Sequence, residues 1–175
     1  MKRATLIALI LGLFTCAHAQ TGGFSVWAGI SWLTDSGARA AVGDTGLHVG
    51  AGYRLPAFNG IMSPQHGHAS VDVDYDRFSA NGNDFSAFGI SYVERVPIVP
   101  VYPGSPIITV PYFGLGIGAW FDHVSGLSDR TTVGGEGILG VNFQRQFFLE
   151  GAYHFRADFH GNSPNTVTLC VGMHF

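Results

Sequence analysis

Three aspartates stand at every second position in Ser70-Val71-Asp72-Val73-Asp74-Tyr75-Asp76. Carboxylates this dense are the material of a calcium loop, but an EF-hand loop needs glycine at its sixth position and glutamate at its twelfth. Counted from Asp72, those places hold Arg77 and Asn83. In an extended chain, alternate residues share one face at steps of about 6.6 Å, so the acids read as a polar strand face that arginine neutralises. His66-Gly67-His68 offers two imidazoles. Without a third ligand they make a weak metal site, and the segment reads as a solvated turn. The glycine runs at 114–118 and 134–140 lack the preceding strand–turn and following helix of a nucleotide loop. Glycine in a strand more often admits a bulky neighbour, here Trp120. His154, Asp158, His160 and Ser163 supply the residue types of a serine nucleophile, its base and an orienting group. No catalytic, cofactor or metal residue is assigned from these patterns.

The elements that position these residues follow from composition and period. The chain has 175 residues, 46% hydrophobic, 13% aromatic and 12% charged. An ordinary soluble domain carries about 25% charged residues. Disordered chains are poor in aromatics and rich in charge, so disorder is excluded. The 25 glycines follow no collagen repeat. The length suits one domain. Net charge is −3, and after Lys2 and Arg3 seven arginines and no lysine stand against 12 acids. Nucleic-acid binding needs clustered Lys and Arg, so that partner is excluded.

Residues 1–19 read as a signal peptide. Lys2 and Arg3 precede an apolar run from Ala4 to Phe14, and Ala17-His18-Ala19 is an A-x-A cleavage site before Gln20. The run is shorter than the roughly 20 residues of a membrane-spanning helix. A lipoprotein signal would place a small residue before Cys16, where Thr15 stands. Cleavage leaves 20–175 as the exported domain, with Cys170 alone and no internal disulfide.

No later segment reads as a membrane helix. Val96 to Phe121 is apolar, but five prolines from Pro97 to Pro111 break it. Period-2 alternation accounts instead for an exported, greasy, aromatic chain. Eight segments show it, at about 23–33, 45–56, 67–78, 84–96, 107–121, 131–144, 146–157 and 165–175. The face of Phe113, Leu115, Ile117, Ala119 and Phe121 opposes Gly114, Gly116, Gly118 and Trp120. The fourth segment is less regular, with Phe88, Ile90 and Tyr92 as its apolar face. These lengths fit tilted membrane strands of about 9–11 residues, and eight is the smallest even number that closes such a barrel. The polar connectors 34–44, 79–83, 122–130 and 158–164 lie at one end, and Pro-rich 57–66 and 97–106 with the turn Gln144-Arg145-Gln146 at the other. The expected fold is all-β, an eight-stranded antiparallel up-and-down transmembrane barrel.

That turn sets the register of the sixth and seventh segments. A hairpin centred on Arg145 puts Glu136 opposite His154 and Gly134 opposite Arg156. A buried carboxylate is costly unless paired, so Glu136, His154 and Arg156 are expected to form a structural polar cluster in the lumen.

Pro111-Tyr112-Phe113-Gly114-Leu115-Gly116-Ile117-Gly118-Ala119 resembles the central strand of the small OmpA/OmpX-type outer-membrane barrels. Gly134-Gly135-Glu136-Gly137-Ile138-Leu139-Gly140-Val141 and Phe148-Leu149-Glu150-Gly151-Ala152-Tyr153-His154-Phe155 are similar to its next two strands. The end, with Leu169, Val171, Met173 and Phe175 at every second position, resembles the family's C-terminal assembly signal. The resemblance implies the outer membrane, contact with its lipid and lipopolysaccharide, and insertion by the barrel assembly machinery. It carries no catalytic residue.

The expected role is structural or interactive, performed by a monomer without cofactor. An eight-stranded barrel is filled by side chains rather than open as a wide pore. Two other readings are a lipid-modifying enzyme at the rim, built on His154, Asp158, His160 and Ser163, and a narrow channel or small-ligand carrier. The His-x-Ser pattern known from outer-membrane lipid A deacylases does not occur at His154 or His160.

Overall fold

In the computed structural model the described residues are 23–55, 61, 67–80, 82–98, 109–126, 128–143, 146–157 and 164–175. The signal segment, His66, Gln144, Arg145, Asp158, His160 and Ser163 lie outside them.

The alternating segments form β1 (Phe24–Leu33), β2 (Thr45–Arg54), β3 (His68–Ala80), β4 (Asn83–Pro97), β5 (Thr109–Val124), β6 (Arg130–Phe143), β7 (Phe147–Arg156) and β8 (Thr166–His174). Each pairs antiparallel with the next, and β8 closes on β1 with Gly29 opposite Cys170. Closure gives every strand a partner on both sides, as a span through hydrocarbon requires. No helix among the described residues is long and apolar enough to cross a membrane.

The pleat sorts the sequence into two faces. Ile117, Val133, Leu139 and Val171 point outward and are 64–70% exposed. Trp120, Glu136, Glu150, His154 and Arg156 point inward and are buried. β6 and β7 take the expected register, with Glu136 opposite His154 and Gly134 opposite Arg156.

Three local features differ from expectation. The connector 34–44, read as irregular, holds a short helix, α1 (Ser36–Val42). The Asp35 side chain caps it by accepting from the Ala38 amide at 2.8 Å. It ends at Gly43, whose φ of 85° favours glycine. Val42 and Ala38 pack on Leu33, Phe78, Phe85 and Ala87, so α1 covers an apolar plug at the end of the barrel opposite the termini (the hairpin end).

Second, β5 runs on to Val124, which brings Asp122 out of the expected loop and into the wall, 1% exposed. Third, the irregular face of β4 has a specific cause. Glu94 shares the outward face with Tyr92, yet it is 4% exposed and opposite Ala69. The Tyr92 hydroxyl and the Ile61 amide both donate to its Oε1, at 2.6 and 2.8 Å.

Candidate functional site in the barrel lumen

The lumen is built in layers, because inward positions on all eight strands converge on one axis. Nearer the end that carries the termini, Arg95 of β4 is the organising cation. Its Nη1 meets Asp72 Oδ2 at 2.9 Å, and its Nε and Nη2 meet the two oxygens of Glu150 at 2.9 and 3.1 Å. Nη1 also donates to Ser70 Oγ, and the Tyr112 hydroxyl donates to Glu150 Oε2 at 2.8 Å. The fork geometry of the guanidinium suits this paired capture of carboxylates.

Toward the hairpin end, Arg156 of β7 repeats the arrangement. Its Nη2 lies 3.0 Å from Asp76 Oδ2, and its Nη1 lies 3.3 Å from Asp122 Oδ1. Thr132 donates to the other Asp122 oxygen at 2.6 Å. The guanidinium carbon sits 5.5 Å from the Trp120 ring centroid, a cation–π distance.

Between the two arginines lie His48 and His154, ring centroids 6.0 Å apart. His48 Nδ1 lies 2.9 Å from Asp76 Oδ1. The Trp27 indole N–H points at His48 Nε2 and Asp74 Oδ1, at 3.2 and 3.1 Å. His154 Nδ1 stands 3.5 Å from Glu136 Oε2. Space for Trp27 comes from Gly50, where any Cβ would collide with the indole. Gly116 does the same for Glu136, whose Oε1 would lie 2.6 Å from a Cβ there.

Asp72, Asp74, Glu136, Glu150, His48 and His154 all border one central cavity. About 10 Å³ of it is open to the centre of a water molecule, room for about one water.

The expected trio of Glu136, His154 and Arg156 is therefore placed as follows. All three are buried in the lumen, and Glu136 faces His154. Arg156 is not the partner of Glu136. It turns toward the hairpin end because Asp76 and Asp122 offer it two carboxylates there. Sequence reading missed Arg95 and Asp122. The signal for Arg95 was its parity with Ser91 and Val93, obscured by Glu94 beside it. The Asp72-Asp74-Asp76 run faces the lumen, split between Arg95, His48 and Arg156. Among the described residues, no group of three or more His, Cys, Asp or Glu is arranged to hold a metal ion. His68, half of the expected histidine turn, begins β3. Gly89 lies against Trp120, with a Cβ there 2.5 Å from its Nε1.

The terminal residues alternate as well. Leu169 and Val171 face outward, 48% and 64% exposed. The Phe175 amide donates to the Phe24 carbonyl at 2.8 Å, and the two rings lie 6.5 Å apart.

An apolar exterior around a charged, tightly paired interior inverts the pattern of a water-soluble barrel and defines a transmembrane β-barrel. Solved structures share the fold. Neisserial surface protein A superposes with a TM-score of 0.54 at 21% identity, covering 89% of this chain and 98% of that one. The Yersinia pestis outer membrane protein Ail, in a phospholipid bilayer nanodisc, gives 0.53 at 14%, covering 89% and 100%. The outer membrane enzyme PagL gives 0.54 at 12%, covering 86% and 98%. No family model matches the chain, and no curated protein is similar to it in sequence.

Proposed function

We propose that this chain is an integral outer-membrane protein with a structural or interaction role, monomeric, and not an enzyme. The observation that carries the reading is the middle of the lumen: among the described residues ion-paired side chains crowd it, and its central cavity has room for about one water. The working surface is then the exterior. Its apolar belt meets membrane lipid, and its hairpin-end rim, with Arg39, Arg77 and Arg130, meets lipopolysaccharide. The A-x-A leader and the alternating end at Phe175 support export and insertion by the barrel assembly machinery. The likeness to the structures of outer-membrane proteins supports the location through fold.

Reconstitution in planar bilayers tests this reading. The expected result is no discrete conductance and no activity on lipopolysaccharide. Stepwise conductance would replace the reading with a channel, and deacylation lost on Ser163→Ala would replace it with an enzyme.

A further inference from the structure

Among the described residues, six carboxylates are buried in the lumen: Asp72, Asp74, Asp76, Asp122, Glu136 and Glu150. Of the described arginines, two, Arg95 and Arg156, are buried with them. Arg95 takes Asp72 and Glu150, and Arg156 takes Asp76 and Asp122. That leaves Asp74 and Glu136. Within the buried layers, the further cationic groups among the described residues are His48 and His154. Even with both imidazoles charged, two negative charges remain without a counter-charge. Arg54, His68 and His174 stand at the end that carries the termini, beside the Arg95 layer, with His68 opposite Arg95; Arg54 is exposed and the histidines are half-buried.

A second observation points to the same place. Glu136 Oε1, Asp72 Oδ1 and His154 Nδ1 have no hydrogen-bond partner, although each residue is at most 4% exposed. All three residues border the central cavity. Facing Glu136 there are His48 from β2, Asp72 and Asp74 from β3, Arg95 from β4, and Glu150 and His154 from β7. Trp27 and Thr168 close the cavity from β1 and β8, and Gly116 of β5 lies beneath Glu136. A buried carboxylate without a counter-charge is costly. These donors are not arranged around a metal ion, so the positive charge is best carried on the carboxylates themselves.

We propose that the central cavity is a binding site for excess protons and one water. Glu136 and Asp74 each take one proton from solvent and stand as carboxylic acids, with no other bond changed. The water sits against Glu136 Oε1 and His154 Nδ1, so that these two unpartnered atoms are satisfied through it.

Infrared difference spectroscopy on the refolded full-length barrel at neutral pH tests this. A carboxylic-acid C=O band is expected in the wild-type protein, weaker in Glu136→Gln and in Asp74→Asn and lost in the double variant. Glu136→Gln should also keep the wild-type melting temperature, because it mimics the protonated side chain. The wild-type spectrum decides even if a variant fails to fold: absence of the band at neutral pH overturns the proposal. So does a melting temperature that rises in sodium chloride but not in choline chloride of equal ionic strength, since the occupant would then be a metal cation.

Discussion

Arg95 and Glu150 are joined by two parallel hydrogen bonds across the lumen, Nε to Oε2 at 2.9 Å and Nη2 to Oε1 at 3.1 Å. The two residues come from β4 and β7, strands that are not neighbours in the sheet. The pair therefore ties opposite walls together, which no backbone ladder does. Replacing Arg95 with Met removes the cation and leaves Glu150 and Asp72 buried without it. The expected cost is about 3–5 kcal/mol, read from denaturant unfolding in detergent. Adding Glu150→Gln should recover part of that loss. A loss under about 1 kcal/mol would show that the pair behaves as an exposed one.

The orientation of Arg156 gives a second test. It contacts Asp76 and Asp122 rather than Glu136. A double-mutant cycle on Arg156→Met and Asp76→Asn should show a coupling of about 0.5–3 kcal/mol. The cycle on Arg156→Met and Glu136→Gln should show a smaller one. Equal couplings would mean that Arg156 serves Glu136 as well.

Gly50 and Trp27 are predicted to depend on each other. A Cβ at position 50 would lie 2.3 Å from the Trp27 indole and 2.6 Å from Asp74 Oδ1. Gly50→Val should lower the yield of folded, heat-modifiable barrel, and Trp27→Ala in the same chain should restore part of it. Equal yields of Gly50→Val with and without Trp27→Ala would remove Trp27 as the reason for the glycine.

Phe175 closes β8 on β1 and ends the alternating terminal segment. Its deletion should reduce the amount of protein inserted in cell envelopes. Refolding into detergent should be less affected, because assembly machinery has no part there. Unchanged insertion would count against an assembly signal at this end.

Much of the wall was legible in the sequence because side-chain direction in a strand has a period of two. Where one face was continuously apolar, as from Phe113 to Phe121, the face could be read; register could be read where a tight turn fixed it, as between β6 and β7. Glu94 broke that rule on β4, since a carboxylate on the outward face is tolerated only with the Tyr92 hydroxyl and Ile61 amide beside it. The helix α1 was signalled by Asp35, the alanines and Gly43, but its reason for forming is tertiary, an apolar plug assembled from β1, β3 and β4. The partners Glu150 of Arg95 and Asp76 of Arg156 were not legible. Hairpin arithmetic relates neighbouring strands, whereas β4 with β7 and β3 with β7 meet only across the closed lumen.

Two isoleucines offer the most direct measurement of the inside-out architecture. Ile117 of β5 is 70% exposed on the outer face, and Ile138 of β6 is 3% exposed in the lumen. With methyl-labelled protein in lipid nanodiscs, nuclear Overhauser effects between lipid acyl-chain protons and isoleucine δ1 methyls report which side chains touch hydrocarbon. Strong lipid contacts are expected at Ile117, and also at Ile30 and Ile90 on the same face, with none at Ile138. Acyl-chain contacts at Ile138, or their absence at Ile117, would contradict a transmembrane barrel with a filled polar lumen.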